Sequence, residues 1–350
     1  MQFTFDVTLP RVTFGAGSVA SLPDDIDRLG AQRILIVGTP GRTTLVQKIA
    51  DLLGERVAGT FDGAVVHVPE AVAARAIIAA ASARADSVLS VGGGSAIGVA
   101  KAIALATDLP IVAVPTTYSG SEMTALWGLT RGGAKHTGRD SRVQPRAVIY
   151  DPELTLELPL SVSGASGMNA IAHCVEAFYA PDSNPVTSLM AEEGIRALGE
   201  SLPMIAHSPR NILPRTQAMY GAWLGGASLA AVQMGLHHKL CHVLGGSFDL
   251  PHGETHAVLL PYTTGFNAPA AGDAMSRVSR ALRATSVPAA LFDLGRHLRM
   301  PASLAELGMR EADLERAAEL ATERPYSNPV PVTREGVASL LRKAFEGARP

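Results

Sequence analysis

The chain has 350 residues, 47% of them hydrophobic, enough length for two domains and enough apolar side chain for a large core. Its net charge of −2 is spread without a run of Lys or Arg, which argues against a dedicated binder of nucleic acid or of a membrane surface. Two cysteines, Cys174 and Cys241, occur in no CxxC or zinc-ribbon spacing and read as buried thiols of a reducing compartment.

The opening MQFTFDVTLPRVTFG alternates polar and apolar residues and lacks a basic stretch followed by an apolar run. The expectation is a cytoplasmic protein without a signal peptide. Short runs rich in β-branched residues then recur at Ile34–Val37, Val65–Val68, Val88–Val91, Ile111–Val114 and Ala147–Tyr150. Helical stretches lie between several of them, at Thr44–Leu53, Ala71–Ala85 and Ala96–Ala106. Apolar strands alternating with helices predict a parallel sheet covered on both faces.

From about Thr155 the strand signal fades. Ser166–Tyr179, Pro185–Leu202, Thr216–Met234 and Leu304–Thr322 carry helical spacing, and Gly221–Met234 is too short and too rich in Gly and Ala for a membrane span. The fold class is therefore an α/β domain with a parallel sheet, residues 1–155, followed by an all-α domain, residues 156–350.

Strand Val88–Val91 runs into Gly92, Gly93, Gly94 and Ser95 and then into a helix. Such a turn lets the backbone approach a diphosphate, and the helix start offers it unpaired N–H groups; a purely structural tight turn would look similar. Strand Ile111–Val114 is followed by Thr116, Thr117 and Tyr118, hydroxyls at the strand end where open α/β sheets bind ligands. Strand Ile34–Val37 is followed by Gly38, Thr39 and Pro40, with no acid to grip a ribose 2′-hydroxyl and Arg42 nearby. Either NADH or NADPH fits that composition. Lys135 reads equally as a ribose contact or as a solvated loop cation.

Five of the ten histidines, His237, His238, His242, His252 and His256, fall within twenty residues, and His173 lies four after Asn169. The pairs Asn169/His173 and His238/His242 each share a helix face. Clustered histidines point to metal binding or proton transfer. Any one of them could be a satisfied core residue, but six in two segments are harder to explain in that way.

The strings GGGSAIGVAKAIA, PTTYSGSEMT, DPELT, GASGMNAIAHCVEAF and GLHHKLCHVLGGSFDLPHGETHAVLLPY together resemble the iron-containing alcohol dehydrogenase superfamily. The resemblance implies a Rossmann-like, dehydroquinate synthase-like first domain. It also implies a divalent metal at positions that fall here on Asn169, His173, His238 and His252. Asn169 stands where those enzymes have an Asp, so the site lacks its one anionic ligand. No catalytic metal is expected, although three imidazoles can still bind zinc.

The shorter PTTYSGSEMT loop, the Asn and PHGETHAVLLPY resemble the maleylacetate reductase branch. That branch implies NADH- or NADPH-dependent reduction of maleylacetate to 3-oxoadipate in aromatic-compound degradation, without added metal, by a homodimer. Hydride addition to the carbon β to the ketone gives a delocalised enolate, which needs a Lewis acid less than an alkoxide does. On this reading His238 and His242 polarise the ketone or deliver the proton as imidazolium or imidazole, and His173 and His252 are pocket donors. His237 and His256 are weaker candidates. Lys239 is either a cation for the dicarboxylate substrate or a solvated one. The alternatives are a metal-dependent alcohol or polyol dehydrogenase and a non-catalytic nucleotide-binding module.

Overall fold

The computed structural model describes residues 2–132 and 134–350. One compact unit is Thr8–Leu158; the other joins the segment up to Val7 with Pro159–Pro350. The sequence division at 155/156 differs in the place of the break and in the N-terminal segment. Asp151 explains the later break, because its carboxylate accepts from the N–H groups of Gly17, Val19 and Glu153 and ties the DPELT turn to the first unit.

In that unit the strands are β1 (Arg11–Phe14), β2 (Ile34–Gly38), β3 (Val57–Phe61), β4 (Ser87–Gly92), β5 (Ile111–Pro115), β6 (Leu126–Arg131), β7 (Ala134–Arg139) and β8 (Ala147–Tyr150). Its helices are α1 (Leu22–Leu29), α2 (Thr43–Leu53), α3 (Glu70–Ser82) and α4 (Gly94–Thr107). Six strands form one parallel sheet in the order β1-β8-β5-β4-β2-β3, and β6 with β7 forms an antiparallel hairpin. Ile34, Ile36, Leu89 and Val91 pack with α1 and α2, whereas Leu35, Val37 and Val88 pack with α3 and α4. Burial on both faces is why these strands read as unbroken apolar runs.

One predicted strand is wrong. Val65–Val68 is a turn in which His67 and Val68 have φ of 62° and 46°, and Val66 is 62% exposed. Left-handed backbone cannot continue a ladder. The edge strand is instead the half-buried VAGTF of β3.

The second unit is helical: α5 (Leu160–Tyr179), α6 (Pro185–His207), α7 (Ile212–Ala231), α8 (Leu236–Ser247), α9 (His252–Asn267), α10 (Gly272–Leu282), α11 (Val287–His297), α12 (Leu314–Thr322) and α13 (Arg334–Glu346). The predicted helix Leu304–Thr322 begins only at Leu314, because Gly308 adopts φ 93° and breaks the run. No helix among the described residues is long and apolar enough to cross a membrane. At Gly225 of α7, an added Cβ would lie 2.9 Å from the Ala170 carbonyl of α5. This close approach buries α5 along the stretch that carries Asn169 and His173.

Candidate active site

The first half-site is at the carboxyl ends of β2, β4 and β5. Chain order reverses between β2 and β4, the place where an open parallel sheet leaves a ligand crevice. Register aligns Gly38 with Val91, and Gly92 with Pro115, so the three predicted loops emerge side by side. The chain passes from Gly92, at φ 151°, into α4 with no side chain capping its N-terminus, which leaves that end to an anion. A Cβ on Gly93 would lie 2.8 Å from Thr117 Cγ2 and Oγ1. Glycine is therefore required for the β5 loop to close over the turn.

Gly94 is exposed; Gly93, Ser95, Thr39 and Thr117 are half-buried. Thr39 lies against Gly92, and Pro40 is exposed beyond it. Gly38 has a packing reason of its own, since a Cβ there would come within 2.7 Å of Val46 on α2. Thr116 and Tyr118 point into the interior and are buried. Lys135 is on the β6–β7 hairpin with its stem over Gly128.

Beneath this loop is a buried network that sequence reasoning passed over. Lys101 Nζ donates to the carbonyls of Ser121 (2.8 Å), Thr124 (2.7 Å) and Leu126 (2.6 Å) and to Thr124 Oγ1 (3.0 Å). Glu122 accepts from Tyr150 Oη at 2.7 Å and from Ser119 Oγ at 3.1 Å. Burial pulls Lys101 down to about 7, against the raising effect of the Glu122 charge, and pushes the Glu122 carboxyl up. The available signal was one Lys inside the otherwise apolar VAKAIALA of α4.

The second half-site gathers side chains from α5, α8 and α9. The ring centroids of His173 and His238 are 5.0 Å apart and stacked; His238 is also 5.0 Å from His256 and 6.5 Å from His242, and His252 is 4.6 Å from His256. All six predicted histidines thus fall in one cluster. Asn169 is buried one turn before His173, while half-buried Lys239 takes no part in these ring contacts.

Glu176, one turn after His173, was missed, although its i+3 and i+7 spacing from His173 and Asn169 placed it on their face. Its Oε1 accepts from the His237 N–H at 2.9 Å. Its Oε2 accepts from the His238 N–H at 3.3 Å and from His238 Nδ1 at 2.5 Å. The carboxylate therefore caps the first turn of α8, where an anion is favoured, and turns His238 Nε2 the other way. That nitrogen is buried with no hydrogen-bond partner among the described residues, as are His173 Nδ1 and His256 Nε2.

A second chain links Thr263 Oγ1 to His237 Nδ1 at 2.9 Å and His237 Nε2 to His256 Nδ1 at 2.9 Å. Thr263 also donates to the carbonyls of Leu259 and Leu260. With the hydroxyl proton placed on those carbonyls, we assign His237 Nδ1–H as the donor to Thr263 and His237 Nε2 as the acceptor from His256 Nδ1–H.

Burial, helped by neighbouring imidazoles, pushes His173, His237 and His256 well below the usual histidine range. These three are neutral near pH 7, so any hydrogen bond they donate comes from an imidazole N–H rather than an imidazolium. His238 has the Glu176 carboxylate against it.

The iron that the resemblance implies does not fit this donor set well. Asn169 stands where the anionic ligand would be, and Glu176, the carboxylate beside it, is taken up by three donors on α8. Among the described residues, the group of three His, Cys, Asp or Glu donor atoms that all lie within 4.8 Å of one another belongs to His237, Cys241 and His256. Both ring nitrogens of His237 are already engaged there.

Comparison with known proteins covers both halves of the chain. The family described as iron-containing alcohol dehydrogenase matches residues 10–152, and the C-terminal part of the Fe-containing alcohol dehydrogenase family matches residues 163–345. Maleylacetate reductase of Burkholderia cepacia is 50% identical over 348 residues, covering 99% of each chain. Maleylacetate reductase 2 of Cupriavidus pinatubonensis is 52% identical over 343 residues, 97% of this chain and 96% of that protein. The crystal structure of maleylacetate reductase from Agrobacterium tumefaciens, 47% identical, superposes with a TM-score of 0.95 over 100% of both chains. With both halves matched and the likeness running end to end, the chain belongs to the iron-containing alcohol dehydrogenase family.

Proposed function

We propose that the protein is an NAD(P)H-dependent reductase that saturates the C=C bond of maleylacetate to give 3-oxoadipate. The observation that carries this reading is the His238–Glu176 couple beside the neutral imidazoles of His173, His237 and His256. Such a couple suits protonation of an enolate better than stabilisation of a free alkoxide. Full-length likeness to proteins named maleylacetate reductase supports the substrate.

NADH or NADPH is held by Gly92, Gly93, Gly94 and Ser95 at the α4 N-terminus, with Thr39, Pro40 and Thr117 beside them; Gly38, Thr116 and Tyr118 shape those loops, and Lys135 is a further contact. Hydride passes to the alkene carbon β to the ketone, and the C=C electron pair moves into an enolate. His238 then gives a proton from Nε2 to the α carbon and recovers one from solvent, so each turnover consumes one hydride and one proton. Glu176 holds the His238 ring and balances its charge while it carries that proton, the role a buried carboxylate plays behind any acid–base histidine. His173, His242, His252 and Asn169 line the polar pocket, and Lys239 adds positive charge for the two substrate carboxylates. No step requires a metal. The same reading makes the enzyme a cytoplasmic homodimer, which suits two buried cysteines outside any disulfide.

The test follows NADH absorbance with maleylacetate, with and without EDTA. Equal rates are expected. Loss of activity on chelation, restored by Fe²⁺ or Zn²⁺, would return the protein to metal-dependent chemistry.

A further inference from the structure

Lys101 and Glu122 are fully buried ionisable groups that contact no part of the proposed reaction. A buried ammonium is retained in an apolar helix only where its donors are satisfied. Here all its partners belong to one short segment, Ser121 to Leu126. Glu122 sits within that segment and anchors it to Tyr150 of β8 and to Ser119, while Gln144 donates to the Met123 carbonyl at 2.9 Å. The segment directly continues the loop whose Thr117 closes over Gly93.

We infer that Lys101 and Glu122 are positioning residues of the cofactor site, whose buried hydrogen bonds hold the 116–126 loop in register with the glycine turn so that the diphosphate meets a preformed cradle. The inference rests on the reading of that turn as the NAD(P)H site. The charged groups acting on Lys101 are Glu122 and Arg139, and Tyr150 faces Glu122 from β8.

NADH binding, read by fluorescence titration without substrate, tests it. Lys101→Met weakens NADH binding by about tenfold or more, the size expected for charged hydrogen bonds, while KM for maleylacetate at saturating NADH stays nearly unchanged. Glu122→Gln weakens binding less. The double variant binds better than the product of the two single effects, because neither charge is then left buried alone. In the unaltered protein NADH affinity falls as pH rises through about 7, where Lys101 loses its proton. In Glu122→Gln that midpoint moves to lower pH, since the carboxylate no longer favours the ammonium.

Variants that melt earlier but bind NADH as tightly as the unaltered protein would make Lys101 a core residue only and overturn the inference. Should Lys101→Met fail to fold, the Glu122→Gln pH profile decides alone, and an unmoved midpoint overturns it. An unaltered protein that binds no NADH overturns the cofactor reading itself, whereas binding indifferent to both substitutions overturns only the positioning role.

Discussion

The two candidate sites are proposed to recognise by opposite means. The glycine turn works by leaving side chains out: backbone N–H groups at the start of α4 stay uncapped, and Gly93 leaves room for Thr117. The histidine cluster works by bringing side chains in from three helices separated along the chain. Substitution should therefore act differently on each. In the first half-site an added atom harms affinity for the cofactor; in the second a removed atom harms turnover.

The largest effect expected is that of His238→Ala, a fall in kcat of about a thousandfold, in the usual range for loss of a general acid, with the NADH dissociation constant unchanged. Retained turnover would remove His238 from the proton path and move the role to His242. Next comes Gly93→Ala, whose new Cβ meets Thr117 at 2.8 Å and weakens NADH binding by about tenfold while kcat at saturating NADH stays close to normal. Gly94→Ala is the control, because its Cβ meets Ser119 at 3.6 Å, ordinary contact. Equal sensitivity at both positions would mean that the whole turn, rather than one close approach, sets affinity.

Asn169→Asp sharpens the contrast by changing the charge of the second half-site. It restores an anion one turn before His173, so Fe²⁺ or Zn²⁺ binding measured by calorimetry should appear or strengthen. Reduction of maleylacetate should fall several-fold as the imidazoles are drawn onto the ion. No gain in metal affinity would show that the geometry, and not only the missing charge, had moved away from metal binding.

Legibility follows the same division. A parallel strand buried on both faces announces itself as an apolar run, which is why β2, β4, β5 and β8 could be read directly. The run at Val65–Val68 looks identical in sequence but is bent by the left-handed His67 and Val68, and apolar content alone does not report φ. Clustered histidines were visible as a count. What they do was not, because their roles depend on partners from other helices: Glu176 for His238 and Thr263 for His237. Lys101 is the same lesson in the first half-site, since an isolated Lys in a helix gives no sign that four oxygens wait for it in a loop twenty residues on.

The smallest expected effect tests the least legible feature, the direction of the Thr263–His237–His256 chain. In the assigned arrangement His256 holds its proton on Nδ1 and leaves the buried Nε2 a bare lone pair. Thr263→Val keeps the side-chain shape but removes the acceptor for His237 Nδ1–H, at a cost of about 1–3 kcal/mol if the N–H stays unsatisfied. A cheaper response is for His237 to move its proton to Nε2 and donate to His256 Nδ1, which puts the His256 proton on Nε2. Imidazole ¹⁵N shifts should therefore show His256 Nε2 unprotonated in the unaltered protein and protonated in Thr263→Val, with kcat changed by only a few-fold because the His238–Glu176 couple is untouched. If the His256 shifts are the same in both proteins, the hydroxyl does not set the tautomer, and the polarity of the chain must come from the cluster side.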